Sequence, residues 1–251
     1  MLEICAIASG SNGNCYYIGN ENEAVLIDAG ISGKQVLARM AERGLSSSKI
    51  KALFITHEHG DHMRGARGVE KKLQVPVYIT AKTHNGAYKN MRTNTPKHFV
   101  PGDKITIGNF TVFTFLKNHD ASEPCSFRVR YKNKNVGVFT DIGEACENVK
   151  THLQKCDALF LESNYDEEML LNGSYPYFLK QRVASEVGHL SNDQTFDLLK
   201  NHAGKNLQCV FLSHLSKENN TPEKAMERMK SLDSFKIKLT SRYAASEVYR
   251  F

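Results

Sequence analysis

A chain of 251 residues with 41% hydrophobic and 24% charged content has the composition of a globular protein and the length to bury a substantial core. No run approaches the roughly eighteen apolar residues of a membrane helix, and MLEICAIASG lacks a basic leader, so a cytoplasmic protein is expected. The charge of +6 suits an anionic substrate without identifying one, and six cysteines with no CxxC pair argue against a disulfide framework and a thiolate zinc site.

Residues 1–8 alternate towards a strand, and Ser9, Gly10, Ser11, Asn12, Gly13 and Asn14 form a tight loop before a second strand at Cys15 to Ile18. That loop offers backbone N–H groups that could cradle a phosphate, while its Asn-Gly step suits a hairpin equally well. A third strand, Ala24 to Ile27, runs into Asp28, Ala29 and Gly30; Ser32 then caps a helix from Lys34 to Arg43, which Gly44 stops. Ile50, Ala52, Leu53, Phe54 and Ile55 build the next strand, which runs out into THEHGDH at 56–62.

His57, His59, Asp61 and His62 crowd three imidazoles and a carboxylate beside a core, where unsatisfied polar groups are costly and a bound cation is the economical answer. Residues two apart in an extended segment point the same way, so His57 and His59 can grip one ion. Asp61 and His62, opening the next helix, can face a second.

Further along, Met63 to Leu73 reads as a helix and Val75 to Thr80 as a strand. Ile105 to Leu116 divides at Gly108 and Asn109 into a hairpin that delivers Asn118, His119 and Asp120. The strands Phe127 to Tyr131 and Val136 to Thr140 follow, the second closed by Asp141 ahead of Gly143. A helix from Glu147 to Leu153 leads to the strand Ala158 to Leu161, which ends in Glu162, Ser163 and Asn164. The remainder is mainly helical until the strand Cys209 to Leu212 and its terminal Ser213 and His214. No Pro, Gly and Ser-rich linker interrupts the chain, and one domain over 1–251 is expected. One event repeats: an apolar strand ends and a metal-ligand type appears, at His57, His119, Asp141 and His214, with Asp28 and Glu162 as further carboxylates.

Taken in order, LIDAG at 26–30, THEHGDH at 56–62, NHD at 118–120, FTDIG at 139–143 and SHLSKENN at 213–220 closely resemble the motifs of the metallo-β-lactamase-fold hydrolases. The resemblance implies an α/β fold, a four-layer αββα sandwich of two similar halves with a metal site along one edge of the sheets. It implies that His57, His59 and His119 hold one metal, that Asp61, His62 and His214 hold another, and that Asp141 bridges them. Asp28 would support the ligand loop from behind. ASGSNGNC, LFLESNYD and the pair GHLSN and SHLSKENN look most like the YycJ (WalJ) group, whose members are described as DNA exonucleases working from 5′ to 3′. Glu162 and His189 match a glutamate–histidine pair of the ribonuclease Z branch, whereas its long substrate arm and the β-CASP insertion of ribonuclease J have no counterpart in this sequence.

Two metals can hold a bridging hydroxide and clamp the oxygens of an in-line displacement at phosphorus. The leaving alkoxide still needs a proton, and His189, held by Glu162, is the expected donor. Asp61, Glu162 and His189 are thus the expected catalytic groups. A site of His and Asp suits Mn or Zn, with Mn expected in the cell and Zn in purified protein. His59 stands where redox di-iron relatives carry glutamate, which argues for hydrolysis and ranks iron third.

The expected function is a phosphodiesterase that trims DNA from a 5′ end. The alternatives are a small-molecule hydrolase acting on a thioester, lactone or cyclic phosphodiester, which calls for a closed and largely apolar pocket, and a non-catalytic scaffold. Asp141 stands where many β-lactam hydrolases use cysteine. His84, His98, His152 and His202 read as surface groups; Arg128, Arg130, Lys132 and Lys134 could contact nucleic-acid phosphates, with a solvated face the commoner outcome for such residues. Arg64 is expected to overlook the site.

Overall fold

Two seven-stranded sheets occupy the middle of the protein in a computed structural model that describes residues 1–251. The first contains β1 (Glu3–Ala8), β2 (Cys15–Gly19), β3 (Ala24–Ile27), β4 (Ile50–Phe54), β5 (Val77–Thr80) and β6 (Pro96–Phe99) in that spatial order. The second contains β7 (Lys104–Ile107), β8 (Phe110–Leu116), β9 (Cys125–Tyr131), β10 (Lys134–Phe139), β11 (Ala158–Glu162), β12 (Cys209–Ser213) and β13 (Lys236–Leu239). The short β14 (Tyr249–Arg250) returns to pair with β1 at the free edge of the first sheet.

The two halves repeat one another. From β14 through β1 and β2 to β3 the pairings are antiparallel, and from β3 to β6 they are parallel. From β7 to β10 they are again antiparallel, and from β10 to β13 parallel. Parallel neighbours need crossover connections, which place helices on the outer faces. Accordingly α1 (Gly33–Glu42) and α3 (Ala66–Leu73) cover the first sheet, while α5 (Glu147–Leu153), α8 (Asn192–His202) and α9 (Pro222–Arg228) cover the second, with the short α6 (Glu167–Asn172) and α7 (Tyr177–Val183) between α5 and α8 in the chain. This is the expected four-layer αββα sandwich.

Its strands read as continuous apolar runs because both faces are buried. Along β2, Tyr16 and Ile18 join Phe54, Phe110, Phe127 and Phe160 between the sheets, whereas Cys15 and Tyr17 pack under the helices of the first sheet. All six cysteines are free thiols, five of them buried. No helix is long and apolar enough to cross a membrane.

The stretch Met63 to Leu73 is not one helix. It is split into α2 (Gly60–Met63) and α3 at Gly65, whose N–H donates to the Ala29 carbonyl at 2.7 Å. A side-chain carbon at Gly65 would run into the Ile31 carbonyl, so only glycine lets α2 lie this close to the loop after β3. The intervening α4 (Ala81–Gly86) and β6 carry too few apolar residues to show as periodic elements in the sequence.

His152 is not a simple surface group either. Its ring stacks on Phe115 with centroids 3.9 Å apart and accepts from Arg128 Nε at 3.2 Å. Burial, then the charges of Arg128 and Lys155, hold it down to about 4 from an ordinary 6.5. Between those values the unfolded chain binds the extra proton, so this residue's contribution to stability is lost as pH falls from 6.5 towards 4. The urea midpoint of His152→Gln is expected to fall less steeply over that window; parallel profiles for the variant and wild type would contradict it.

Candidate metal centre

Six strands end at one edge, and each end carries a polar residue of the site: Asp28 after β3, the Thr56–His62 loop after β4, His119 after β8, Asp141 after β10, Glu162 at the end of β11 and His214 after β12. Asp28, Asp141 and His214 adopt left-handed φ angles of 62°, 55° and 57°. Such conformations cost about 1–3 kcal/mol each in non-glycine residues, and Asp and His are among the types that tolerate them. The turn stops the strand at a defined residue and swings the chain across the edge.

The histidines are aimed by what lies behind them. His62 Nδ1 donates to Asp28 Oδ2 at 2.7 Å, His119 Nδ1 to the Gly188 carbonyl at 3.1 Å and His214 Nδ1 to Glu162 Oε1 at 2.9 Å. His57 Nδ1 donates to Thr56 Oγ1 at 2.9 Å, and that hydroxyl donates onward to Asp28 Oδ2 at 2.9 Å. Each of these rings therefore turns Nε2 inward, the arrangement that prepares imidazoles for a metal.

One group forms where His57 Nε2 and His119 Nε2 stand 3.1 and 3.3 Å from His59 Nδ1. A second gathers Asp61, His62, Asp141 and His214, with His214 Nε2 at 3.3 Å from Asp61 Oδ2. Asp141 touches both, since its Oδ1 is 3.8 Å from His119 Nε2 and 3.6 Å from His214 Nε2. Its Oδ2 is only 3.0 Å from His62 Nε2, yet it is buried and has no partner in hydrogen-bond geometry. An orphaned carboxylate oxygen between convergent imidazole nitrogens suits divalent metal ions, and these residues could hold them.

The electrostatics divide the same way. Burial, together with the His62 and Lys117 charges, holds His57 well below the ordinary histidine range, and burial pushes His119 down to about 3. At the other group burial also opposes charge, but Asp141, Asp61 and Asp28 outweigh it at His62, which lies well above its usual range. His214 rises to about 10 through Asp141, Asp61 and Glu162.

The structure thus brings all seven expected ligand residues together and places His189 and Glu162 beside them, with His189 Nδ1 donating to Glu162 Oε1 at 2.8 Å. That same Oε1 serves His214, and Oε2 accepts from the N–H groups of Ile142 at 2.7 Å and Leu190 at 3.2 Å. Burial favours the neutral acid, but the His189 charge and the hydrogen bonds from His189 and His214 hold Glu162 down to about 2. Its double service to His189 and His214 was not legible in the sequence.

Other contributors were missed as well. Buried Lys117 donates to the Thr140 carbonyl at 2.6 Å, with only its position between an apolar strand and NHD as a clue. Asn14 Nδ2 reaches Asp61 Oδ2 at 3.3 Å and His62 Nε2 at 3.0 Å, so the Ser9 to Asn14 hairpin loop braces the ligand loop. Asn164 Nδ2 donates to the His214 carbonyl at 2.8 Å.

The centre opens into a cleft of about 390 Å³ whose far wall includes Tyr175, Leu179 and Arg182 from the region of α7 (Tyr177–Val183). Arg182 Nε is tied to Asp120 Oδ2 at 2.6 Å. Arg64, exposed beside Gly60, does not line the cleft. Gly30 lies directly against the Asp61 carbonyl, which any side-chain carbon would strike. Gly30→Ala is expected to cost about 3 kcal/mol of stability, as overpacking against rigid backbone does, and to lower metal content. Urea denaturation and elemental analysis would check this, and a variant of wild-type stability would contradict the close packing.

The model of the Metallo-beta-lactamase superfamily matches residues 8–178. The chain belongs to that superfamily. It is 34% identical over 228 residues to the protein named Exodeoxyribonuclease YycJ of Bacillus anthracis, covering 89% of this chain and 86% of that one. It is also 34% identical over 224 residues to Exodeoxyribonuclease WalJ of Streptococcus pneumoniae, covering 87% and 83%. Among solved structures, the metallo-beta-lactamase fold protein YhfI of Bacillus subtilis superposes over the whole of both chains with a TM-score of 0.75 at 18% identity, a likeness of fold. Family, relatives and donor groups together identify a metal-dependent hydrolase of the superfamily.

Proposed function

We propose that this chain is a dinuclear-metal phosphodiesterase that removes nucleotides from the 5′ end of DNA. The observation that carries the reading is the meeting of two donor groups at Asp141, in a chain one-third identical over most of its length to exodeoxyribonucleases. His57, His59 and His119 would hold one metal and Asp61, His62 and His214 the other, with Asp141 between them. The donors include no thiolate, which suits Mn in the cell and Zn in purified protein, with iron third. When bound, such a pair supplies an acidified water and neutralises charge on the phosphoryl oxygens.

The protein's own groups do the rest. Asp28 and Thr56 lock the ligand loop, Glu162 orients His189, and His189, only partly buried on the cleft wall, is placed to give the leaving oxygen its proton. Free thiols suit a cytoplasmic protein. The pairing of β14 with β1 supports one folded unit over 1–251. The small-molecule reading called for a closed apolar pocket, and only three of the 17 residues lining this cleft are hydrophobic.

The test is digestion of a linear duplex labelled at one 5′ end and, separately, at one 3′ end, with Mn added and Asp61→Ala as the contamination control. Early release of 5′ label as mononucleotide or short product, absent in the variant, is expected. No release from either end by protein that holds two metals would overturn the reading in favour of a small-molecule hydrolase.

A further inference from the structure

On the outer face of the second sheet, away from the metal centre, Lys104 of β7, Phe113 of β8 and Arg128 of β9 stand in one cross-strand row. They line a cavity of about 460 Å³ that is closed on the helix side by His152 of α5 and by Lys155 just beyond it. This cavity shares no lining residue with the catalytic cleft, and no acidic residue lines it.

Arg128 is the unusual member, being only 6% exposed. Its guanidinium lies 4.0 Å above the Phe113 ring, Nη1 bonds Asn135 Oδ1 and Nε bonds His152 Nδ1, so every partner it has is neutral. Nη2 makes no protein hydrogen bond. A buried cation without a counter-charge is a standing cost: burial draws the Arg128 pKa down and the Arg130 charge adds to it, against a partial offset from Cys156. His152 cannot relieve the charge, because it is neutral and already accepts the Nε proton. Lys104 and Lys155 are exposed at the rim, where their ammonium groups are free to converge on an anion above Arg128.

We propose that this cavity is a phosphate-binding site in which Arg128 contacts the phosphate from below and Lys104 and Lys155 close over it. A planar guanidinium with a free Nη2 edge suits a phosphoryl oxygen, and the mobile ammonium groups add charge. The phosphate can come from a nucleic-acid strand lying across the sheet or from a free phosphomonoester, and the site does not depend on the proposed nuclease activity.

The test uses zinc-loaded, ¹⁵N-labelled full chain titrated with inorganic phosphate, reading the amides of Gly102 and Asn148 at the cavity. The double variant Lys104→Ala/Lys155→Ala alters only exposed side chains; Arg128→Gln is the second variant. Saturable shifts at those amides, weakened about tenfold or more in both variants, are expected. A phosphorothioate-linked oligothymidylate then separates the sources by fluorescence anisotropy. Weaker oligonucleotide binding by the double variant identifies a strand as the ligand. Unchanged oligonucleotide binding, with the phosphate shifts lost, identifies a free phosphomonoester. Phosphate shifts of equal affinity in wild type and variants, or no shift together with unchanged oligonucleotide binding, would overturn the site.

Discussion

Replacing Asp141 with Asn is expected to lower hydrolysis by about a thousandfold or more, the scale on which buried electrostatic stabilisers of a transition state act. The substitution keeps shape and removes charge at the one residue that touches both donor groups. Asp141 sits in a left-handed turn that Asn also tolerates, so the backbone should survive the change. What is lost is the anion facing His62 and His214, both of which otherwise lie well above the ordinary histidine range. Elemental analysis should therefore show fewer metals per chain in a protein of normal fold. Wild-type activity in Asp141→Asn would sink the two-metal reading altogether.

The second large effect separates proton donation from metal binding. His189→Ala should slow DNA hydrolysis by about a hundredfold to ten-thousandfold, the usual worth of a positioned acid, with metal content unchanged. Bis(p-nitrophenyl) phosphate, whose leaving group needs no proton, should be hydrolysed at nearly the wild-type rate by the same variant. An equal loss on both substrates would show that His189 does not act on the leaving oxygen. Glu162→Gln should behave differently, because Glu162 Oε1 holds both His189 and His214. Losing a carboxylate that orients a ligand histidine lowers metal affinity by about 10–100-fold, so this variant should fail on both substrates and recover partly with excess metal.

What could be read from the chain alone followed from local rules. Apolar runs both of whose faces are buried mark the strands, and a His or Asp at the end of such a run is conspicuous because an unpaired polar group there is expensive. That reasoning, with the ordered motifs, reached the fold, the residues that converge at the centre and the Glu162 and His189 pair. It failed where a residue's role depends on partners far along the chain. Asn14 meets His62, and Glu162 meets His214, across 48 and 52 positions respectively. The break at Gly65 depends on the backbone of a loop that precedes it by some thirty residues and carries no sign in its own periodicity.

Basic residues show the limit most clearly. Arg128, Arg130, Lys132 and Lys134 form one run in sequence, a pattern that suits a solvated face or contacts to nucleic-acid phosphates alike. Strand alternation instead turns Arg128 onto a half-covered sheet face, and α5 folds His152 over it. Lys134 pairs with Asp157 at 3.2 Å, so neighbours in the run have unlike fates. By itself the sequence determined which side chains stand at strand ends, because a strand's periodicity is written within a few residues. Only the tertiary structure decided which of those ends meet, what holds each imidazole's outer nitrogen and which cations are left without an anion, because those depend on sheet order and on contacts that no local pattern encodes.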